Sequence, residues 1–591
     1  MSKKWIISEN PPKEFVDSHP ELPPTISRLL WNRNLKTQEQ IDEFLNPDYV
    51  KGLHDPFLFR DMDKACKIIF KAIKEQKNIV VHGDYDADGV TASTILVSTF
   101  EKLGAKNVDV FLPHREKDGY GINLNTVNLL KEKGTDLIVT CDCGISNYDE
   151  VKLAKKLGMQ VIITDHHTVP GKLPKADAII HANVKGEKYP DKGLAGGVIA
   201  FKLAQGLLKK HKEKNEVLPD GTPHEGFEKW MLDLAAIASI GDMVPLLGES
   251  RTVTKYGLMI LNKTQNLGLQ ELLKTSGVAD EDGNPKRGKY DTVTVGFQVV
   301  PRINAAGRMN HANAAYKLLQ AETVEDAKKL SADLDASNKE RQKETMRLVK
   351  LAKEQVIETK QEKNSMLLVL GDGWPTGLLG LVSGRLKDLY YKPALVMSNT
   401  GSEIVGSGRS ISEFNIIENL QKNEELFIKF GGHPQACGFS ILPEKLEEFK
   451  EKLLATADKD LKGVELIPQI QIDAVVDLED VDWKLYDLLE KFRPFGMGNV
   501  EPVYASYGLT VTDMRPVGKD EKHLKLMVKH NSQTVRKTIA FGFGDVEKHP
   551  EDFKKVLQPG TKIDLAFSIS INEWNGNREL ELKVVDIKLS K

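Results

Sequence analysis

Three short, β-rich apolar runs in the first half of the chain each end on side chains that bind metals or phosphate. Asn78-Ile79-Val80-Val81 leads into His82-Gly83-Asp84-Tyr85-Asp86-Ala87-Asp88-Gly89, and Asp136-Leu137-Ile138-Val139-Thr140 leads into Cys141-Asp142-Cys143-Gly144. Gln160-Val161-Ile162-Ile163-Thr164 leads into Asp165-His166-His167, and a fourth segment, Gly241-Asp242-Met243-Val244-Pro245, follows. One triplet alone carries little, because adjacent side chains on an extended segment point to opposite faces. The series carries more. In an open parallel sheet the loops at the carboxyl ends of the strands meet in one crevice, so acids and histidines ending successive strands converge there. The four segments are therefore read as one site.

The surrounding pattern sets the fold class. Strands are expected over 79–82, 108–112, 137–140, 161–164 and 178–181, with helices over 91–103, 124–133, 148–157 and 198–210 between them. That alternation predicts a doubly wound α/β domain with a mainly parallel sheet over residues 75–320. Residues 1–74 read as a helical N-terminal segment packed on that domain. Residues 321–363 are charged and almost free of Gly and Pro, which predicts a connector helix between two domains. A second, smaller α/β pattern occupies 364–460. From 461 to 591 the chain changes to short alternating segments such as Leu524-Lys525-Leu526-Met527-Val528, the texture of a small antiparallel barrel of the oligonucleotide-binding (OB) type.

Composition narrows the partners. With a net charge of −3, bulk charge does not mark a nucleic-acid binder, so a polyanion has to be held locally, by a basic groove or by metals that neutralise carboxylates. Four cysteines without a C-x-x-C pair argue against a disulfide framework and for a reducing, cytoplasmic setting. No stretch is long and apolar enough for a signal peptide or a bilayer span, so a soluble protein without a membrane partner is expected.

His82, Asp86, Asp88, Asp142, His166 and Asp242 form an oxygen and nitrogen donor set without thiolates. Such a set suits Mg2+ or Mn2+, the imidazoles favouring manganese, whereas structural zinc usually has sulfur. Six donors suit two ions better than one, and two ions roughly 3.5–4 Å apart clamp the attacking and leaving oxygens of an in-line phosphoryl displacement. Asp84 reads as a turn residue or an acid behind the ligands. Cys141 and Cys143 flank Asp142 at period two and read as core. Leu194-Ala195-Gly196-Gly197-Val198 is either an anion-binding helix start or a site of close helix packing. The glycines of 373–380 match neither nucleotide-binding fingerprint, so no nucleotide cofactor is expected.

His82-x-x-x-Asp86-x-Asp88, Asp142-Cys143-Gly144, Asp165-His166-His167 and Gly241-Asp242 resemble the four motifs of the DHH phosphoesterase superfamily. Within it, Pro301-Arg302-Ile303-Asn304-Ala305-Ala306-Gly307-Arg308, Gly406-Ser407-Gly408-Arg409-Ser410, Phe430-Gly431-Gly432-His433 and Pro494-Phe495-Gly496-Met497-Gly498-Asn499 resemble the RecJ family of single-strand-specific exonucleases, over nearly all of the chain. The resemblance implies that the six donors hold two metals with Asp142 bridging, and that Asp142, His167 and Asp165 form the catalytic set, His167 touching the scissile phosphate. It implies 5′-to-3′ release of mononucleotides from single-stranded DNA, in repair and recombination.

Arg binds phosphate as a charged fork and Gly lets backbone approach closely. By resemblance Arg115, with Ser407 and Arg409 of a Gly-rich loop, forms a 5′-phosphate pocket across the interdomain cleft. Arg302, Arg308, Gly431, Gly432 and His433 either hold the nucleotide backbone or stabilise turns, and Trp574 is at a hairpin tip that either stacks on DNA or is an ordinary turn. Pro375-Thr376 departs from the His-Pro usual in the family after Trp374. A monomer is expected, with a single-strand-binding protein and a helicase as candidate partners. Two other functions stay open: a DHH phosphoesterase of short oligonucleotides or small phosphoanhydrides, and a catalytically silent single-strand-binding scaffold.

Overall fold

The computed structural model describes residues 3–115, 118–286, 288–309, 312–530, 534–546, 549, 551–574 and 577–590. After a short N-terminal strand, β1 (Lys4–Ile7), and a helical stretch, the first large sheet comprises β2 (Ile79–His82), β3 (Val108–Phe111), β4 (Leu137–Cys141), β5 (Gln160–Thr164) and β6 (Ala178–Ile180). The strands are all parallel, in the order β3-β2-β4-β5-β6. Every residue of β2 and β4 is buried, because helices cover both faces. Met62–Lys74, Ala87–Lys102 and Gly196–Lys212 pack on the side of Val81 and Val139. Leu124–Glu132 and Tyr148–Lys156 pack on the side of Val80 and Ile138. The chain leaves β2 for β3 on one side and returns to place β4 on the other, so the order reverses at β2. The crevice at such a switch point is where open α/β sheets bind ligands.

The helix Val324–Glu358 then crosses to a second sheet, burying Leu334 in the first domain's core and Leu348, Ala352 and Val356 against the second. That sheet holds β7 (Leu367–Asp372), β8 (Ala394–Asn399), β9 (Ile404–Arg409), β10 (Phe427–His433) and β11 (Ala436–Ile441), in the order β10-β11-β9-β8-β7. Only β7 and β8 run parallel. Finally come β12 (Gln469–Ile472), β13 (Ala474–Val475), β14 (Tyr504–Val517), β15 (His523–Lys529), β16 (Val535–Ala540), β17 (Lys562–Trp574) and β18 (Asn577–Leu589). Pairing of β14 with β17 closes β14-β15-β16-β18-β17 into a five-stranded barrel. Among the described residues no helix is long and apolar enough to cross a membrane.

The N-terminal segment departs from expectation. Phe15, Ile26, Leu29, Leu30, Ile41 and Phe44 share a core with Tyr504, Leu509 and Phe567 of the barrel, and β1 pairs with β12. Helical periodicity reports an apolar stripe, not which surface the stripe meets. Only from about Tyr49 onward does this segment pack on the first domain, with Tyr49, Leu53 and Phe57 against its core and Tyr49 Oη donating to Glu228. Buried Arg251 ties the three parts together, donating to the carbonyls of Phe44, Phe492, Lys491 and Arg493 at 2.9–3.0 Å. Beside it, the Pro494–Asn499 motif docks on the loop after Asp242, where the Leu246 N–H donates to Met497 O (2.8 Å).

Candidate metal centre and nucleic-acid cleft

The central strands β2 and β4 deliver the first side chains. His82 ends β2, fully buried, its ring stacked on Phe111 (5.2 Å) and its Nδ1 3.6 Å from Cys143 Sγ. Cys143 is thus core, as expected, but it also backs the site. Burial pushes the His82 pKa down to about 4, which keeps the imidazole neutral. Asp142, just past β4, has φ 60°, a left-handed backbone that costs a non-Gly residue about 1–3 kcal/mol and marks functional positions. Its N–H still donates to Thr164 O (3.0 Å), so the turn is anchored on β5.

Asp86 and Asp88 are placed by helix starts. Asp86 caps the Ala87–Lys102 helix, one oxygen accepting from the N–H groups of Asp88 (3.0 Å) and Gly89 (3.2 Å). Buried Asp88 accepts from the N–H groups of Gly196 (2.8 Å) and Gly197 (2.6 Å), at the start of the Gly196–Lys212 helix. The anion at that helix start is therefore a carboxylate of the chain itself. The glycines are needed for clearance: a Cβ at Gly196 would lie 2.6 Å from Asp142 Cβ, and one at Gly197 2.5 Å from Ala238 Cβ.

His166 Nε2 sits 3.1 Å from Asp142 Oδ1, 3.6 Å from Asp242 Oδ2 and 3.7 Å from Asp88 Oδ2. Three sets of donor atoms lie within 4.8 Å of one another: Asp84, Asp86 and Asp142; Asp88, His166 and Asp242; Asp142, His166 and His167. They overlap at Asp142 and His166, which is the arrangement of two adjacent cation sites. Asp84, read from the sequence as a turn residue or an acid behind the ligands, stands in the first set and is buried. His82 lies outside these three sets.

The donor set fits divalent cations on its own physics. His82 Nε2 and Asp84 Oδ1 are buried without a hydrogen-bond partner, at roughly 1–3 kcal/mol each, and Asp142 Oδ1 and His166 Nε2, 3.1 Å apart, make no well-aligned hydrogen bond. Burial and then neighbouring carboxylates raise the pKa values of Asp84 and Asp142 well above the usual range, and burial beside Asp242 and Asp86 raises Asp88 to about 7. Asp242 rises to about 7 through burial and Asp86. Carboxylates crowded this way repel one another until positive charge enters.

Asp165 does different work. Its Oδ1 accepts from the N–H groups of His166 (2.7 Å) and His167 (3.1 Å) and from His167 Nδ1 (2.9 Å), and its Oδ2 accepts from Ile145 N–H (2.9 Å). It orients the loop and the His167 ring. Burial opposes charge on His167, but the Asp165 hydrogen bond and the surrounding acids outweigh it and push the pKa up to about 9. Two residues absent from the sequence reading complete this corner. Tyr120 Oη lies 2.8 Å from His167 Nδ1 and donates to Asp142 O (3.1 Å), while His181 Nε2 meets His167 O at 2.8 Å. Tyr120 stands between Gly119 and Gly121, both at positive φ, and that Gly-Tyr-Gly was the one available signal.

Where the two domains face each other, three side chains are basic, Arg115 and Arg308 of the first domain and Arg409 of the second. Arg115 lies over the Tyr85 ring at 5.0 Å. Arg308 donates to Gly377 O (2.7 Å), joining the Val300–Met309 helix of the first domain to the Thr376–Tyr390 helix of the second. Burial, then Arg115 and Arg341, lower its pKa to about 10. Arg409 is lowered by burial and by Arg115, so these cations sit within electrostatic reach of one another. Arg409 donates to Gly408 O (2.8 Å), and a Cβ at Gly380 would lie 3.1 Å from its Nη2 and 3.2 Å from Ser407 Oγ.

The expected Gly-rich loop at 406–410 is instead strand β9, and Ser407 and Arg409 share a face because strand side chains alternate. Its glycines make room for neighbours: a Cβ at Gly406 would collide with Phe439, and one at Gly408 with Leu395. Gly431, Gly432 and His433 also belong to a strand, β10. Register aligns Ser407 with Gly438 and Gly431, and Arg409 with Ala436 and His433. Nothing lies within 4 Å of a Cβ built at Gly431 or Gly438, so a flat open lane runs beside Ser407 and Arg409.

Arg302 is placed elsewhere. It is buried, with Nε and Nη2 at 3.0 and 2.9 Å from Asp335 Oδ1, fastening the connector helix rather than lining the cleft. Residue type cannot distinguish an arginine facing phosphate from one facing a carboxylate. The neighbouring Asn304 was not singled out, yet its Oδ1 accepts from Ala87 N–H (2.7 Å) and pins the Asp84–Asp88 loop. Pro375 caps the Thr376–Tyr390 helix, so the departure from His-Pro falls at a helix start. The Trp574 side chain and residues 575–576 lie outside the described residues.

Comparison with known proteins follows the same division. Residues 78–238 match the family model for the DHH family N-terminal domain, 363–459 that for the DHHA1 domain and 472–586 that for the RecJ OB domain. The single-stranded-DNA-specific exonuclease RecJ of Bacillus subtilis (strain 168) is 36% identical over 593 residues, covering 100% of this chain and 71% of the relative. The protein of the same description from Escherichia coli (strain K12) is 30% identical, covering 97% of each. The crystal structure of RecJ in complex with Mn2+ from Thermus thermophilus superposes with a TM-score of 0.81 at 25% identity, covering 100% of this chain and 80% of that one. Identity of this level along the whole length means that the chain belongs to the RecJ family of the DHH superfamily.

Proposed function

We propose that this protein is a metal-dependent exonuclease that degrades single-stranded DNA from its 5′ end to mononucleotides, in DNA repair and recombination. The observation that carries the reading is the pairing of a buried carboxylate and imidazole cluster that has unpartnered donor atoms with a group of arginines drawn from both domains. RecJ relatives named as single-stranded-DNA-specific exonucleases, and a RecJ structure in complex with Mn2+, support it.

His82, Asp86, Asp88, Asp142, His166 and Asp242 would hold two divalent cations, Mn2+ or Mg2+, with Asp142 between them and Asp84 added to their number. When bound, such a pair generates a nucleophile from water and neutralises charge at the phosphate under attack. The chain's own groups do the rest. His167, held protonated by Asp165, donates to a nonbridging oxygen of the scissile phosphate as negative charge builds there. Tyr120 keeps that ring aimed, and His181 holds the backbone carbonyl of His167. Arg115, Ser407 and Arg409 grip a 5′-phosphate, with Arg308 as a further cation, which sets the cleavage point by distance from the end. Gly431, Gly432 and His433 give the next nucleotides a flat track, and a cleft between two domains admits one strand.

The working unit is a catalytic domain at 75–320, a connector at 321–363, a DHH-associated domain at 364–460 and a barrel at 461–591 that holds the strand farther from the site. It acts in the cytoplasm as a monomer, alongside a helicase and a single-strand-binding protein. Its four cysteines are buried and free, as a reducing compartment allows. End-labelled single- and double-stranded DNA, digested with manganese, magnesium or chelator, tests the reading. Expected is metal-dependent release of mononucleotide from the 5′ label of single strands. Release from the 3′ label first, or equal digestion of duplex, would overturn it.

A further inference from the structure

The described residues contain one π-helical turn, Val295–Val299, which leads straight into the Val300–Met309 helix. Such turns concentrate at functional sites. This one buries Val295 and Val299 and turns Phe297 the other way, 72% exposed, with Val293 four residues earlier at 58%. The turn packs on the Leu232–Gly241 helix, which Asp242 follows: a Cβ at Gly296 would lie 3.7 Å from Ile240, and one at Gly241 3.4 Å from Val300. Met243, next to Asp242, has φ 57° and is 63% exposed. The Pro494–Asn499 loop docks at the same place, with Thr292 Oγ1 donating to Phe495 O (2.7 Å) and Leu246 N–H to Met497 O, and leaves Met497 half exposed. Three segments distant in sequence therefore meet beside one member of the metal cluster, and each leaves a large apolar side chain in solvent.

We propose that Phe297, exposed with Val293 on a turn that packs beside Asp242, is a shelf on which nucleobases of the bound strand stack while its phosphates lie at the carboxylate cluster. The proposal rests on the reading of this protein as a nuclease of single strands. The carboxylate cluster and the arginines account for the phosphates, yet no residue assigned so far meets a base. An aromatic face suits an enzyme that must accept any sequence, because every base has a π-face. Duplex DNA keeps its base faces stacked on one another, so the shelf rewards single strands over duplex in addition to the width of the cleft.

Wild type, Phe297→Ala and Phe297→Trp are compared on 5′-phosphorylated oligonucleotides, intact or with abasic residues near the 5′ end, in manganese and, for equilibrium binding, in chelator. On intact strands Phe297→Ala should raise KM, and weaken binding, about tenfold with a smaller change in kcat, and Phe297→Trp should restore both. On abasic strands wild type and Phe297→Ala should coincide. The melting temperature should not fall, since the ring is exposed. Equal behaviour of Phe297→Ala and wild type on intact strands would overturn the proposal and leave the patch to a protein partner. The same loss on intact and abasic strands would overturn it in favour of a structural role. A wild type that releases no nucleotide would sink the nuclease reading, while the binding comparison in chelator would still decide the shelf.

Discussion

The two sheets that meet at the cleft reach it in opposite ways. The parallel sheet of the first domain contributes nothing from within its strands except His82; its acids come from just past the carboxyl ends, where the crevice opens at the switch point between β2 and β4, apart from Asp242, which ends the Leu232–Gly241 helix. The mixed sheet of the second domain contributes from the middle: Ser407 and Arg409 stand two residues apart on β9, with Gly438 and Gly431 continuing the surface across β11 and β10. One side concentrates negative charge that repels itself, the other sets a single arginine, Arg409, on a flat face toward Arg115 and Arg308. On the proposed reading, a strand with a 5′-phosphate, together with metals, would satisfy both at once. Function here costs stability mainly on the acidic side, where donors are orphaned and Asp142 is in a left-handed conformation.

The sharpest way to break that comparison is Asp142→Asn. Activity should fall by roughly 10²–10³-fold or more, while the metal-free variant should melt higher than wild type, because one buried charge leaves the cluster and Asn tolerates positive φ. Manganese should raise the melting temperature of wild type and not of the variant. A variant less stable than wild type without metal would contradict the picture of a self-repelling cluster.

Arg302→Ala comes next and tests the basic group by subtraction. Removing one partner of its buried pair with Asp335 should cost about 3–5 kcal/mol of stability by chemical denaturation, with KM of the remaining folded enzyme near that of wild type. A raised KM at unchanged stability would return Arg302 to the cleft. For Arg409→Ala the order reverses. Charge-assisted contacts contribute about 1.5–3 kcal/mol, so the preference for 5′-phosphorylated over 5′-hydroxyl strands should shrink roughly tenfold or more. An unchanged ratio would remove the pocket. The smallest effect belongs to Gly431→Val, whose side chain meets open space on β10. Folding should be unaffected, and KM should rise about threefold, an effect of roughly 0.6 kcal/mol, of the same size as ordinary surface changes; no rise would take the strand track off this face.

Much of the acidic side was legible beforehand. An apolar run ending in acid or imidazole is a local pattern, and parallel topology converts it into a place in space, so the five strands and the meeting of the acids at their ends followed from residues alone. Asp84 was undervalued because its turn-forming role and its membership of the cluster use the same residue type. The basic side was less legible. Ser407 and Arg409 look like a loop in sequence because glycine disfavours strands, whereas here the glycines admit Phe439 and Leu395. Arg302, Asn304, Tyr120 and His181 depend on partners far along the chain, which no local pattern reports. The same holds for the N-terminal helices, whose apolar stripe fits the barrel as well as the domain that follows them.

Crystals soaked in manganese offer the most direct measurement. Anomalous difference maps should show two peaks close to Asp142, one toward Asp84 and Asp86 and the other toward His166, Asp88 and Asp242, and both should weaken in Asp142→Asn. Well-ordered carboxylates with no peak among them, or manganese bound only elsewhere on the protein, would contradict the assignment of this cluster as a two-metal centre.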